Sequence, residues 1–124
     1  MEIYCQNHPK FNYNQAKEMY LKYADAIEDS KNFDEVLENT HFYSFFVGGK
    51  FIGCIYFYLI GKKVFVNAFA DRKTHNINIE CFKKALSFYS CDIYARSKQK
   101  TAIYCILKCG FRKIGNNLYK LKRS

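Results

Sequence analysis

The sequence predicts an α+β fold in three layers, with a mixed, mostly antiparallel central sheet of six to seven strands flanked by helices. Three observations carry that prediction. His41 to Val47 and Phe51 to Ile60 flank Gly48-Gly49 and are almost continuously apolar or aromatic, the pattern of a β-hairpin in a sheet covered on both faces. Elsewhere, apolar residues recur at helical spacing in three longer stripes. The extended and helical segments follow one another in the order β-α-α-β-β-β-α-β-α-β-β.

A first strand is expected around Met1 to Cys5, after which Pro9, the lone proline, precedes the first helix signals near Asn14. Ala16, Met19, Tyr20, Tyr23, Ala24 and Ile27 form the first apolar stripe. Phe33, Val36 and Leu37 mark a short helix to Glu38. The hairpin comes next, and Gly61-Lys62-Lys63 turns tightly into a strand from Val64 to Phe69. The polar segment Ala70 to Asn78 leads into a helix carrying Ile79, Phe82, Leu86 and Tyr89, with Asn76 or Asn78 as the expected cap. Cys91 to Ala95 reads as a short strand and Arg96 to Lys98 as a loop. Ala102, Ile103, Ile106 and Leu107 then define the apolar face of a last helix. Gly110 is suited to the left-handed conformation that ends it. Two strands around Asn116-Asn117 close the chain.

At 124 residues the chain is expected to form one domain, 1–124, with one core. No apolar run is long enough to cross a bilayer, and the N-terminus lacks the layout of a secretion signal, so an intracellular, cytoplasmic location is expected. Six cysteines without that signal are weak grounds for disulfides. With no Cys-x-x-Cys and three scattered histidines, no metal site is expected. Cys105 and Cys109 share one helix face, where small apolar side chains at a helix edge are the simpler reading than a metal or redox pair. Charge is divided unevenly: four lysines against eight acids up to Glu38, a net of −4, and sixteen Lys or Arg against Asp71, Glu80 and Asp92 thereafter, a net of +13. The basic body favours an anionic partner: cofactor phosphates, nucleic acid or an acidic protein surface. No membrane partner is expected.

The stretch QKTAIYCILKCGFRKIGNNLYKLKR, Gln99 to Arg123, resembles the closing motif of the GNAT superfamily of acyl-CoA-dependent N-acetyltransferases, whose members often read A-I-x-L-Y-x-x-x-G-F here. The element order is similar to that superfamily over essentially the whole chain. A looser likeness is to the GNAT-like virion proteins of short-tailed bacteriophages, which would place the protein in a virion. The resemblance implies acetyl-CoA as cofactor and no metal; a V-shaped gap between the strands near Asn67 and Cys91 would favour the enzyme, and Phe and Ile side chains filling it would favour the non-catalytic form. It also implies a bulged fourth strand at Asn67-Ala68-Phe69, whose backbone N–H would face the thioester oxygen. In the family a Q/R-x-x-G-x-G/A loop holds the pyrophosphate, and Arg72-x-x-His75-x-Ile77 is the in-register match. Arg72, Lys73, Thr74, His75 and Asn76 supply donors at this helix start although the glycines are missing. The tyrosine that protonates the leaving thiolate in many members lies four residues before the helix-ending glycine, a position held here by Ile106. Tyr104 is the nearby substitute, and Asp71, His75 and Glu80 are the candidate bases.

The missing glycines and the missing tyrosine favour a GNAT-like domain with a degenerate cofactor loop, acting as a non-catalytic binding or structural protein. The alternative is an N-acetyltransferase that moves an acetyl group from acetyl-CoA to an amine. A further alternative is a nucleic-acid-binding module whose affinity falls steeply with salt.

Overall fold

The computed structural model describes residues 1–23 and 32–123, without the side chains of Arg72 and His75. Its elements run β1 (Glu2–Cys5), α1 (Tyr13–Tyr23), α2 (Phe33–Asn39), β2 (His41–Val47), β3 (Lys50–Ile60) and β4 (Lys63–Ala70). A 3₁₀ turn (Arg72–Thr74) leads directly into α3 (His75–Leu86), followed by β5 (Ile93–Arg96), α4 (Lys100–Lys108), β6 (Arg112–Gly115) and β7 (Leu118–Leu121). The strands form one seven-stranded sheet in the order β1-β2-β3-β4-β5-β7-β6. Every neighbouring pair is antiparallel except β4 and β5, so the mixed sheet and the element order are as the sequence predicts. Ala24 and Ile27 of the first apolar stripe lie outside the described residues.

Local chemistry fixes the boundaries. Gly48 and Gly49 turn the β2–β3 hairpin with φ of 58° and 78°, the two left-handed residues that a tight hairpin turn requires. Asn12 Oδ1 accepts the Gln15 N–H at 3.0 Å and Asn32 Oδ1 accepts the Glu35 N–H at 3.1 Å, capping α1 and α2. The Tyr13 hydroxyl donates to the Asp34 carboxylate and ties those two helices together. At the end of α4, Gly110 has φ of 99°. Its N–H reaches the Leu107 carbonyl at 3.0 Å and the Phe111 N–H reaches Ile106 at 3.2 Å, the paired bonds of a Schellman motif.

The sheet separates two apolar clusters. On one face, α3 and α4 cover Phe45, Ile55, Phe57, Val66, Ile93 and Tyr119. On the other, α1 and α2 cover Phe42, Cys54, Tyr56 and Phe69. Tyr20 sits at the centre of that second cluster, 5.4 Å from Phe33 and 5.9 Å from Phe69 between ring centroids. Successive β3 residues serve opposite cores, Cys54 and Tyr56 one way and Ile55 and Phe57 the other, which is why the strand reads as an unbroken apolar run.

Two boundaries and one buried face differ from the sequence reading. The fifth strand is Ile93–Arg96 instead of Cys91–Ala95. Asp92 is taken up in accepting the Arg123 N–H at 2.8 Å and pairing with Lys120 at 3.5 Å. The helix after β4 begins at His75 behind Thr74, earlier than a cap at Asn76 or Asn78 would place it. Leu107, assigned to the apolar face of α4, is 50% exposed because that face is directed by Ile103, Ile106 and Cys109 instead.

Candidate active site

The β4–β5 seam is short. Only Val64↔Ile93 and Phe65↔Tyr94 pair across it, and beyond them the strands part. On its other side β4 pairs with β3 without interruption from Ile60↔Lys63 to Gly53↔Ala70. The bulge expected at Asn67-Ala68-Phe69 is therefore absent: the distortion lies wholly in the separation of β4 from β5. Asp71 donates its N–H to the Ile52 carbonyl at 3.1 Å, which sets the alternation of the ladder. Odd-numbered β4 residues exchange bonds with β3, and the backbone groups of Val66, Ala68 and Ala70 face the gap.

The gap opens into a cleft of about 530 Å³. Val66, Ala68, Phe82, Ala95, Cys105, Ile106 and Phe111 make its wall on the α3/α4 side. Tyr23, Asn67 and Phe69 line it on the α1/α2 side, so it passes through the sheet. It lies beside Ala95, Arg96 and Ser97. The gap expected between Asn67 and Cys91 is thus displaced: β5 runs parallel to β4, which puts Cys91 at the zipped end of the seam.

A mostly apolar cleft with a few polar groups at set places is the ordinary form of a small-molecule site. Asn67 Nδ2 donates to the Tyr56 hydroxyl at 3.0 Å, which fixes the amide on the cleft wall. At the opposite wall Asn78, 5% exposed, donates to the Asp71 carbonyl at 2.8 Å and accepts from the Thr74 hydroxyl at 2.7 Å. The Thr74 side chain makes no cap to α3. The helix dipole favours an anion at this first turn. One nearby donor is already used, since Asp71 Oδ1 accepts the Lys73 N–H at 3.0 Å.

The residues singled out from sequence are distributed unevenly. Asn67 and Phe69 line the cleft. Thr74 and the backbone of Arg72, Lys73, His75 and Asn76 form the turn and helix start beside it, with the Lys73 and Asn76 side chains exposed. The side chains of Arg72 and His75 lie outside the described residues. Tyr104 and Glu80 are exposed and do not line the cleft; Tyr104 is 47% exposed, with Lys108 Nζ 5.5 Å from its ring centroid. Its position two residues from Ile106 turns it away from the wall that Ile106 occupies.

Tyr23, Asn78, Arg96 and Cys105 line the cleft although the sequence reading gave none of them a part in the site. Asn78 carried a usable signal, because it stands four residues before the buried Phe82 and so on the core-facing side of α3. Cys105 and Cys109 are free thiols on the cleft wall. Burial pushes both thiols up, Cys109 to about 11, with Cys105 adding to its shift and Lys83 opposing it. They are protonated at neutral pH and so are able to donate a proton. Among the described residues no cluster of His, Cys, Asp and Glu would hold a metal ion, and no helix is long and apolar enough to cross a membrane.

No family model and no curated protein matches the sequence. The fold is similar to that of solved acetyltransferases. The aminoglycoside acetyltransferase AAC(6')-Ib in complex with coenzyme A matches with a TM-score of 0.76 at 11% identity, over 98% of this chain and 95% of that one. A GNAT family acetyltransferase from Elizabethkingia anophelis with acetyl-CoA bound matches with a TM-score of 0.68 at 16% identity, over 98% and 97%. The Campylobacter jejuni N-acetyltransferase PseH in complex with acetyl coenzyme A matches with a TM-score of 0.60 at 19% identity, over 99% and 100%. The chain has the GNAT acetyltransferase fold.

Proposed function

From the premise of a GNAT fold, we propose that the protein is an N-acetyltransferase that moves an acetyl group from acetyl-CoA to an amine. The observation that carries this reading is the parted β4–β5 seam, open as a cleft through the sheet instead of filled by Phe and Ile side chains. Several solved proteins of this fold hold CoA or acetyl-CoA. The residues present suit such a ligand. The free backbone groups of Val66, Ala68 and Ala70 are a strand edge for the amide-bearing arm of the cofactor. The uncapped start of α3 would take its phosphates without the usual glycines. When bound, acetyl-CoA supplies an activated acyl carbon. The chain's part is to fix that carbon against β4, exclude water with the apolar wall, and return a proton to the departing sulfur. With Ile106 in place of a tyrosine, Cys105 is the protonated group on α4 best placed for that return.

The exposed positions of Tyr104 and Glu80 are the specific observation in favour of the second reading, a GNAT-like binding or structural protein without catalysis. Calorimetric titration separates the two. Acetyl-CoA and CoA are expected to bind with micromolar Kd, about −8 kcal/mol. No heat at millimolar cofactor would leave only the non-catalytic reading.

A further inference from the structure

The α1/α2 face of β3, β4, β5 and β7 carries a row of rings and cations that the transfer chemistry does not use. Tyr58, Phe65 and Tyr94 stand side by side across three strands, with centroids 5.9 and 5.5 Å apart and planes within 27° and 28°. Phe65 is 4% exposed, so this ladder is a firm base. Three cations rest on it. Arg96 lies 5.5 Å above Phe65, while Lys63 and Lys120 lie 5.1 and 5.4 Å from the Tyr94 centroid. Asp92 pairs with Lys120, and among the described residues no ion pair engages Lys63 or Arg96. Rings neutralise no charge, so the cations keep their field while losing side-chain freedom.

The placement of this row restricts what it can serve. Phe65 and Arg96 share the α1/α2 side, opposite the α3 start and α4 wall assigned above to the cofactor. Arg96 also reaches the cleft rim, joining the row to the site. Among the described residues, no Asp or Glu lines the cleft. A polycationic amine would meet Arg96 on entry.

We propose that the acceptor is a small amine carrying a phosphate group, its phosphate held by Arg96 and Lys63 and its amine directed into the gap beside Asn67. This rests on the acetyltransferase reading. Two cations, one of them a planar guanidinium, suit a dianionic phosphate better than a single carboxylate. Nitrogen attack on the acetyl carbon forms the amide and breaks the thioester. The amine loses one proton and the departing sulfur takes one up, so no further reactant is required.

The test compares 3-aminopropyl phosphate with 3-aminopropanol, which differ only in the phosphate, and with spermidine. Binding is read by calorimetry on the full chain and acetylation by mass spectrometry of the amine. The phosphorylated amine is expected to bind at least tenfold more tightly and to react with at least tenfold higher kcat/KM. Arg96→Gln and Lys63→Gln should each bring the ratio of the two amines towards one. Lys63→Gln keeps the test valid should loss of the Arg96 stacking disturb folding. Equal use of both amines, or preference for spermidine, overturns the proposal while leaving the transferase reading intact. Phosphate-dependent binding without any acetyl-CoA binding would overturn the transferase reading and with it the role of acceptor.

Discussion

Gly53 allows the closest approach in the sheet. A Cβ built there would lie 2.5 Å from Ala70 Cβ and 2.6 Å from the Phe69 carbonyl oxygen, and neither backbone-bound atom can swing aside. Gly53→Ala should therefore cost about 1–3 kcal/mol, read as a lower urea midpoint at unchanged slope. Since Gly53 faces Ala70 in the register, the same change should also weaken acetyl-CoA binding at the end of β4. The thiols make a second test at this scale. Exposed Cys91 should react with iodoacetamide within minutes at pH 8, when Cys109 is only about one-thousandth thiolate and Cys54 is held further back by burial. The Cys109 rate should rise about tenfold per pH unit from pH 8 to 10. Bound acetyl-CoA should slow labelling of both cleft thiols. Peptide mapping reads each site separately.

The junction between β4 and α3 depends on Asn78, whose amide holds Asp71 and Thr74 in place of a conventional cap. Asn78→Ala removes two half-buried hydrogen bonds, leaving the Asp71 carbonyl held by the Thr74 hydroxyl and N–H, and should cost about 1–3 kcal/mol in chemical denaturation, with a fall in acetyl-CoA affinity as the helix start loosens. The element also shows why sequence reading went astray there. Asparagine favours both caps and buried hydrogen-bonded corners, and only the spacing to Phe82 distinguishes them. The hairpin and the end of α4 were legible because glycines at Gly48, Gly49 and Gly110 are required by backbone sterics, a purely local cause. The β4 bulge was misplaced because strand separation is a property of two strands, and nothing in Asn67-Ala68-Phe69 records where β5 will lie. The lining of the cleft was illegible for the same reason: its wall joins residues from β3 to the β6–β7 turn. Asp92 closes the other end of β5. The Arg123 N–H, then Lys120, hold its carboxyl below the usual range. That contribution is fully present above the carboxylate's unfolded value and fades as pH falls through the lowered one. Asp92→Asn should accordingly lower the melting temperature at pH 7 and lose its effect once acid protonates the carboxylate in the folded protein.

At the scale of the molecule, the sheet is two sheets sewn by two stitches. β1 to β4 share long registers, and β5, β7 and β6 share theirs, but only two positions pair across the seam. Loops and the shared α3/α4 core carry the remaining connection. Cooperativity should follow those ladders. Native-state hydrogen exchange is expected to show β5, β6 and β7 opening as one unit, at lower free energy than β2, β3 and β4. A ligand wedged in the gap touches both units, so each opening must first release it. Saturating acetyl-CoA should raise the lower opening energy by about 2.7 kcal/mol at one hundred times its Kd, and bring the two units towards a single transition. The parting of β4 and β5 would thus make a bound ligand a structural member: the protein leaves a span of its own sheet unbuilt, and a molecule seated there would complete it.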